Sequence, residues 1–185
     1  TYPGATGPFG MVQVSPVNGI SKWDWCSGYH YSDSIAAGFS HLALSGTGIG
    51  DLADVLFMPI NKEVDLSATP LSRDSLVYKS KYSHKNENAS PGYYQVFLED
   101  HNVNVELTTA LRTAYHKYTF AKDDKQSVVI DLGFAINWDR ALKTSITIED
   151  EYTISGYRFS KGWAANQKVF FVAKFSKPIT KHHIF

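Results

Sequence analysis

The chain has 185 residues, and Lys plus Arg at 18 balances Asp plus Glu at 18, so its formal net charge is zero. That length suits one domain with a sizeable core. The balanced charge, with no run of like sign, excludes the basic surface that nucleic acid or an anionic membrane would require, and no stretch reaches the roughly 20 apolar residues of a membrane span.

From the amino end, residues 9–14 (FGMVQV) form an apolar run between Gly7-Pro8 and Ser15-Pro16. They read as a short buried strand, with turn from Ser15 onward. The most distinctive stretch follows at 23–59, where two tryptophans, Cys26, two histidines and five glycines fall in a segment too polar for a core and too patterned for a linker. Within it two apolar pieces, 35–44 and 53–60, are joined by Ser45-Gly46-Thr47-Gly48-Ile49-Gly50. Its alternating glycines open backbone conformations closed to other residues and mark a functional loop or a sharp corner. Cys26 is the only cysteine, which rules out an intrachain disulfide and a cysteine-rich zinc site.

A polar interval at 61–74 leads into the segment 76–83, and 85–92 reads as a surface turn. Val103, Val105 and Leu107 then alternate with Asn104, Glu106 and Thr108, the period of a strand with one buried face. Tyr94, Val96 and Leu98 repeat that pattern, making Asp100-His101-Asn102 a hairpin turn. Strands at 111–120, 128–132, 144–148, 151–160 and 168–175 complete the set. In the last of these Val169, Phe171, Ala173 and Phe175 share one face, while Phe170 and Val172 make the other apolar as well, so it is expected between two layers. No window carries an amphipathic helix with start and stop signals. About ten strands and no helical period predict an all-β fold, a two-layer antiparallel β-sandwich formed by a single domain over 1–185.

The residues alone offer little catalytic chemistry. Asp123-Asp124 and Glu149-Asp150-Glu151 sit at strand ends and read as solvated turns. His182-His183 lacks the spacing of a zinc site. His30 and His41 lie among hydroxyl groups, yet neither has a partner that would make it catalytic, and both read as hydrogen-bonded structural residues. Aromatics reach 14% of the chain, with Tyr 11, Phe 11 and Trp 4. That exceeds what the core needs and leaves rings for a ligand with flat apolar faces, such as a sugar.

Six segments carry a resemblance: TYPGATGPFGMVQVSP at 1–16, WDWCSGYHYSD at 23–33, GFSHLALSGTGIGDLADVLFMP at 38–59, SHKNENASPGYYQVFLED at 83–100, and GYRFSKGW with FFVAKFSKP near the end. In this order they resemble the amino-terminal domain of glycoside hydrolase family 92, calcium-dependent exo-acting α-mannosidases of mostly bacterial origin. The resemblance implies a supersandwich-like fold truncated at both ends, lacking the (α/α)6 barrel that would follow it and would supply the catalytic acid, base and most calcium ligands. It implies inverting hydrolysis of terminal mannose, of α-1,2 type, from N-glycans or mannan, in a periplasmic, cell-surface or secreted enzyme. No catalytic residue and no metal ligand is then expected in this chain, and the fragment alone should be inactive.

By the same resemblance Trp23 packs against the leaving mannose, Phe9 and Gly10 approach the terminal sugar, and Cys26 with Gly28 lies beside the tryptophan segment. The partners implied are a mannose-containing oligosaccharide and the helical domain. GFSHLALSG departs from the more usual GFSHTHLSG, and Trp25 stands where a small residue is common. A stand-alone carbohydrate-binding module remains the alternative.

Overall fold

The structure, a computed structural model, describes residues 2–20, 22–46, 50–67, 72–121 and 125–185. Gly48 of the glycine loop, the Asp123-Asp124 pair and the side chain of Cys26 lie outside the described residues. The strands, in order, are β1 (Ala5–Thr6), β2 (Gln13–Val17), β3 (Ile35–Ala36), β4 (Gly38–Ser40), β5 (Leu42–Ala43), β6 (Leu52–Asp54), β7 (Leu56–Ile60), β8 (Ser80–Lys81), β9 (Glu87–Ser90), β10 (Tyr93–Leu98), β11 (Val103–Thr109), β12 (Ala114–Phe120), β13 (Ser127–Asp131), β14 (Arg140–Ile148), β15 (Thr153–Lys161) and β16 (Gln167–Lys174). All pairings are antiparallel, and the helical residues described are three single 3-10 turns.

One sheet runs β1-β2-β4-β7-β13 and a second runs β12-β11-β10-β9. Between them lies the main core. From the second sheet Tyr94, Val96 and Leu98 of β10 and Val103, Val105 and Leu107 of β11 point inward, each at most 1% exposed. They meet Val14, Val17, Phe39, Leu56, Met58 and Ile60 of the first. Side chains of this kind stabilise by about 1.5–3 kcal/mol each when fully buried, so the β10–β11 hairpin alone contributes on the order of 10 kcal/mol before chain entropy is counted. The period of two in the sequence is the direct cause of this packing.

A third sheet, β14-β15-β16, covers the outer side of β7 and β13. Alternation along β7 sends Leu56, Met58 and Ile60 into the sandwich, while Phe57 joins Val55, Leu132, Ile146, Val169 and Phe171 beneath the third sheet. The strand buried on both faces is therefore β7, and its unbroken apolar sequence reflects that position. The strand expected to be central, at the end of the chain, is instead the edge strand β16. Its Val169, Phe171 and Ala173 face inward, whereas Phe170 is 70% exposed and Val172 stands in water beside it.

Four further expectations are corrected. The run at 9–14 is not a buried strand: Phe9 and Met11 are exposed, and the strand begins at Gln13 and continues through Ser15, Pro16 and Val17. Pro16 fits because the amide of Gln13 and the carbonyl of Val17 bond to His41 and Ala37 on the β4 side. The Pro16 nitrogen then points to the other edge, where β1 has already ended at Ala5, and no ladder donor is lost. The piece at 76–83 supplies only the two-residue β8, and the strand expected from 111 begins at Ala114. Residues 85–92 are not merely a turn, because Glu87–Ser90 form an edge strand folded onto β10 through Pro91-Gly92, with Gly92 at φ 77.

A buried ionic clasp ties the third sheet to the rest. Arg158 of β15 is completely buried and pairs with Asp54 of β6 and with Asp139, while its Nε donates to the Leu132 carbonyl at 3.0 Å and an Nη to that of Phe134 at 3.1 Å. Gln167 donates to the second oxygen of Asp54.

Candidate functional site

The segment from Lys22 to Asp33 crosses one edge of the sandwich and is pinned by Asn18, a fully buried polar side chain. The Asn18 carboxamide accepts from the His30 amide at 2.7 Å and donates to the Ile35 carbonyl at 2.9 Å and to the Tyr82 hydroxyl at 3.2 Å. Its backbone amide donates to the Gly28 carbonyl at 2.7 Å. Gly28 is needed here: its φ is +79°, and an added Cβ would sit 3.0 Å from Val17 and 3.3 Å from Ile136. Positive φ at Asp24 and Ser27 shapes the rest of the turn.

This turn holds Trp23 outward, 69% exposed, so the ring is not core packing. The next residue, Asp24, lines an open cleft of about 840 Å³ together with Tyr2, Pro3, Tyr29, His30, Tyr31, His84, Glu87 and Ala89. Trp25 stacks on His30 with ring centroids 4.5 Å apart, which braces the lip from behind.

At the base of the cleft Glu87, with its side chain 7% exposed, gathers three donors. The Tyr29 hydroxyl lies 3.1 Å from both oxygens, the Tyr94 hydroxyl donates at 2.7 Å, and the His84 ring bonds through Nδ1. Tyr31 stacks on His84 at 4.0 Å. Burial, reinforced by the nearby Glu87 carboxylate, pushes both the Tyr29 and Tyr94 phenols up, and burial pushes Tyr82 up to about 12. The hydroxyls therefore stay protonated and donating at neutral pH. A carboxylate so fully engaged fixes the aromatic wall and has no free oxygen with which to activate water.

Of the residues expected at a site, Trp23 is exposed and does not itself line this cleft, although its neighbour Asp24 does. Phe9 and Gly10 do not line it. They form the tip of a turn closed by Gly10 N–H to the Gly7 carbonyl at 3.0 Å, held to the β11–β12 loop by Met11 N–H to the Leu111 carbonyl at 2.7 Å, with Phe9 wholly exposed. Gly28 does not line the cleft either and packs against Val17 and Ile136. Sequence reasoning missed Glu87 and His84, although Pro91-Gly92 before Tyr93-Tyr94 was a usable hairpin signal that would have turned 87–90 into a strand.

The two histidines of the distinctive stretch are structural. His30 bonds Ser32 at 2.8 Å. His41 Nδ1 meets the Val55 carbonyl at 2.7 Å, its Nε2 meets His116 Nε2 at 3.0 Å, and His116 Nδ1 meets the Tyr118 hydroxyl at 2.8 Å. With both rings neutral, only one proton arrangement satisfies all three: His41 donates to Val55, His116 to His41, and Tyr118 to His116. Burial lowers both imidazoles, and His41 lowers His116 further. Glu149-Asp150-Glu151 forms the exposed β14–β15 turn as expected, with Asp150 accepting from the Tyr152 amide at 2.7 Å. Among the described residues no three His, Cys, Asp or Glu side chains gather in a way that could hold a metal ion.

The glycosyl hydrolase family 92 N-terminal domain model matches residues 1–185. The solved family GH92 α-mannosidase BT3965 of Bacteroides thetaiotaomicron is 38% identical with a TM-score of 0.90, and the match covers 97% of this chain and 24% of that one. The same enzyme in complex with mannoimidazole gives equal values. The family GH92 inverting mannosidase BT2199 of the same organism is 26% identical with a TM-score of 0.73, over 97% of this chain and 22% of that one. No curated protein matches. The chain thus spans about a quarter of the length of these structures. The all-β sandwich and the agreement in sequence over its whole length lead to one conclusion: this chain belongs to glycoside hydrolase family 92, as its N-terminal domain.

Proposed function

We propose that this domain serves an exo-acting, inverting α-mannosidase that removes terminal, α-1,2-linked mannose from N-glycans or mannan, and that it forms the aromatic side of the site without providing the acid or the base. The observation that carries the reading is the exposed ring of Trp23, next in sequence to Asp24 of the cleft wall, in a domain 38% identical to that of a family 92 α-mannosidase. An indole face covers the C–H surface of a pyranose, and an exposed, preorganised ring is the form in which such a contact is useful. Inversion needs one carboxylic acid on the leaving oxygen and a second carboxylate activating water across the ring. Because Glu87 is engaged by three donors, we assign both roles to residues outside this chain. Calcium is assigned there too, since the described residues do not fit it, and no step here runs through the ion.

Within that division of work Trp23 orients the leaving sugar, Gly28 acts by shaping the turn that presents it, and the Glu87 network holds the wall of the cleft. The test is to follow cleavage of α-1,2-mannobiose by the full-length enzyme with proton NMR. The expected result is initial release of β-mannose, with none from the 185-residue chain alone. Release of α-mannose first, or hydrolysis by the isolated chain, would contradict the reading. Sugar binding by a stand-alone chain with no helical partner would favour the carbohydrate-binding module.

A further inference from the structure

The chain has four tryptophans, and two of them, Trp138 and Trp163, take no part in the site described above. They form an edge-to-face pair with centroids 5.9 Å apart and planes at 69°, and they stand 63% and 59% exposed. They are not remote from the first pair. The Trp25 carbonyl lies against Gly50, 2.9 Å from where a Cβ there would sit. Asn137, next to Trp138, donates its carboxamide to the Gly50 carbonyl, and the Trp163 amide donates to Asp51 at 2.8 Å. Gly50 and Asp51 thus link the Trp23–Trp25 turn, the Trp138 loop and the Trp163 loop.

The pair is also held rigidly. Asp139, after Trp138, is clasped by the buried Arg158. Gly162, before Trp163, packs directly on that residue, since an added Cβ would lie 2.7 Å from the Asp139 Cα. Asp51, which fixes Trp163, is completely buried. Two large apolar rings are therefore anchored by buried carboxylates and still left mostly in water, an arrangement that core packing does not explain. Arg140 and Lys161, each two residues from one of the tryptophans, lie opposite one another in the β14–β15 register and are both exposed, so cationic donors are available on this face. Flat faces with hydroxyl-seeking donors suit a saccharide ring, which presents a C–H surface edged by oxygens.

We propose that Trp138 and Trp163 form a second stacking platform, taking a sugar unit of the substrate beyond the two that meet at the scissile bond. This rests on the mannosidase reading and adds to it that the enzyme prefers extended oligosaccharides over the disaccharide. The experiment compares kcat/KM of the full-length enzyme for α-1,2-mannobiose and for a linear α-1,2-mannopentaose, with Trp138→Ala, Trp163→Ala and Trp163→Phe beside wild type. Losing a ring–sugar stack is expected to lower the pentaose value about tenfold relative to that for mannobiose. Trp163→Phe, which keeps a face, should retain most of the difference. Equal losses on both substrates with a lowered Tm would overturn the proposal and mark the pair as packing against another part of the enzyme. No loss on either substrate would overturn it as well. Calorimetric titration with mannopentaose, which needs no turnover, judges the platform separately: weakened binding in the alanine variants supports it even where wild type fails to cleave mannobiose and the mannosidase reading falls, while unchanged binding refutes it.

Discussion

Arg158→Met would remove a guanidinium that is wholly buried and answers two wholly buried carboxylates, those of Asp54 and Asp139. Breaking a buried ion pair by deleting one partner costs about 3–5 kcal/mol, because the charge left behind is neither solvated nor paired. The Leu132 and Phe134 carbonyls would lose donors as well. Against a total stability of about 5–15 kcal/mol, that is enough to unfold a large share of a marginal domain. The loss has a ceiling, because an abandoned carboxylate can take up a proton. Burial already pushes the Asp54 carboxyl up, and Arg158 is the main influence holding it down. In the variant the folded state would bind protons that the unfolded state, with its carboxylates near about 4, has released, so stability falls as pH rises. Each such proton is worth about 1.4 kcal/mol per pH unit. Denaturant titrations of the 185-residue chain should show Arg158→Met less stable by about 4 kcal/mol at pH 8 and by about half that near pH 5.5. Adding Asp54→Asn and Asp139→Asn should restore part of the loss at pH 8. A loss below about 1 kcal/mol, or one independent of pH, would refute the reasoning.

Two further outcomes follow from the same kind of argument. The lowered imidazoles of His41 and His116 mean that the unfolded chain takes up protons first as pH falls below about 6.5, so stability present above that pH is lost on acidification. Thermal melts from pH 7.5 to 5 should show a falling Tm, and His116→Phe should flatten the dependence; an equally steep curve in the variant would place the acid sensitivity elsewhere. Gly28→Ala should cost about 1–3 kcal/mol in a denaturant titration, because it forces a side chain into positive φ and into contact with Val17; a neutral substitution would show that the turn is not held by this glycine.

The β10–β11 hairpin was readable because its buried face is written in strict alternation, and its turn encloses His101, which folds inward to bond the Tyr78 carbonyl at 2.7 Å. The final strand was misplaced for a physical reason: residues apolar on both faces fit a central strand, but they fit equally an edge strand whose outer face stays open, as Phe170 and Val172 do. The Arg158 clasp left no local trace, because its partners lie 104 residues and 19 residues away in sequence. For the site, the motif around Trp23 carried the resemblance, and the structure leaves that ring exposed. Glu87 escaped notice because it sits on a short edge strand among polar residues, where only the Pro91-Gly92 turn betrays the pairing.

The central claim is that the Trp23 indole meets the leaving sugar in the assembled enzyme. It is tested most directly by Trp23→Ala in the full-length protein, comparing kcat/KM for α-1,2-mannobiose with that for a mannoside bearing a small synthetic leaving group. Loss of the stack should lower the mannobiose value about tenfold and the synthetic one little. Equal losses on both substrates would mean that the ring supports the fold and does not touch the departing mannose.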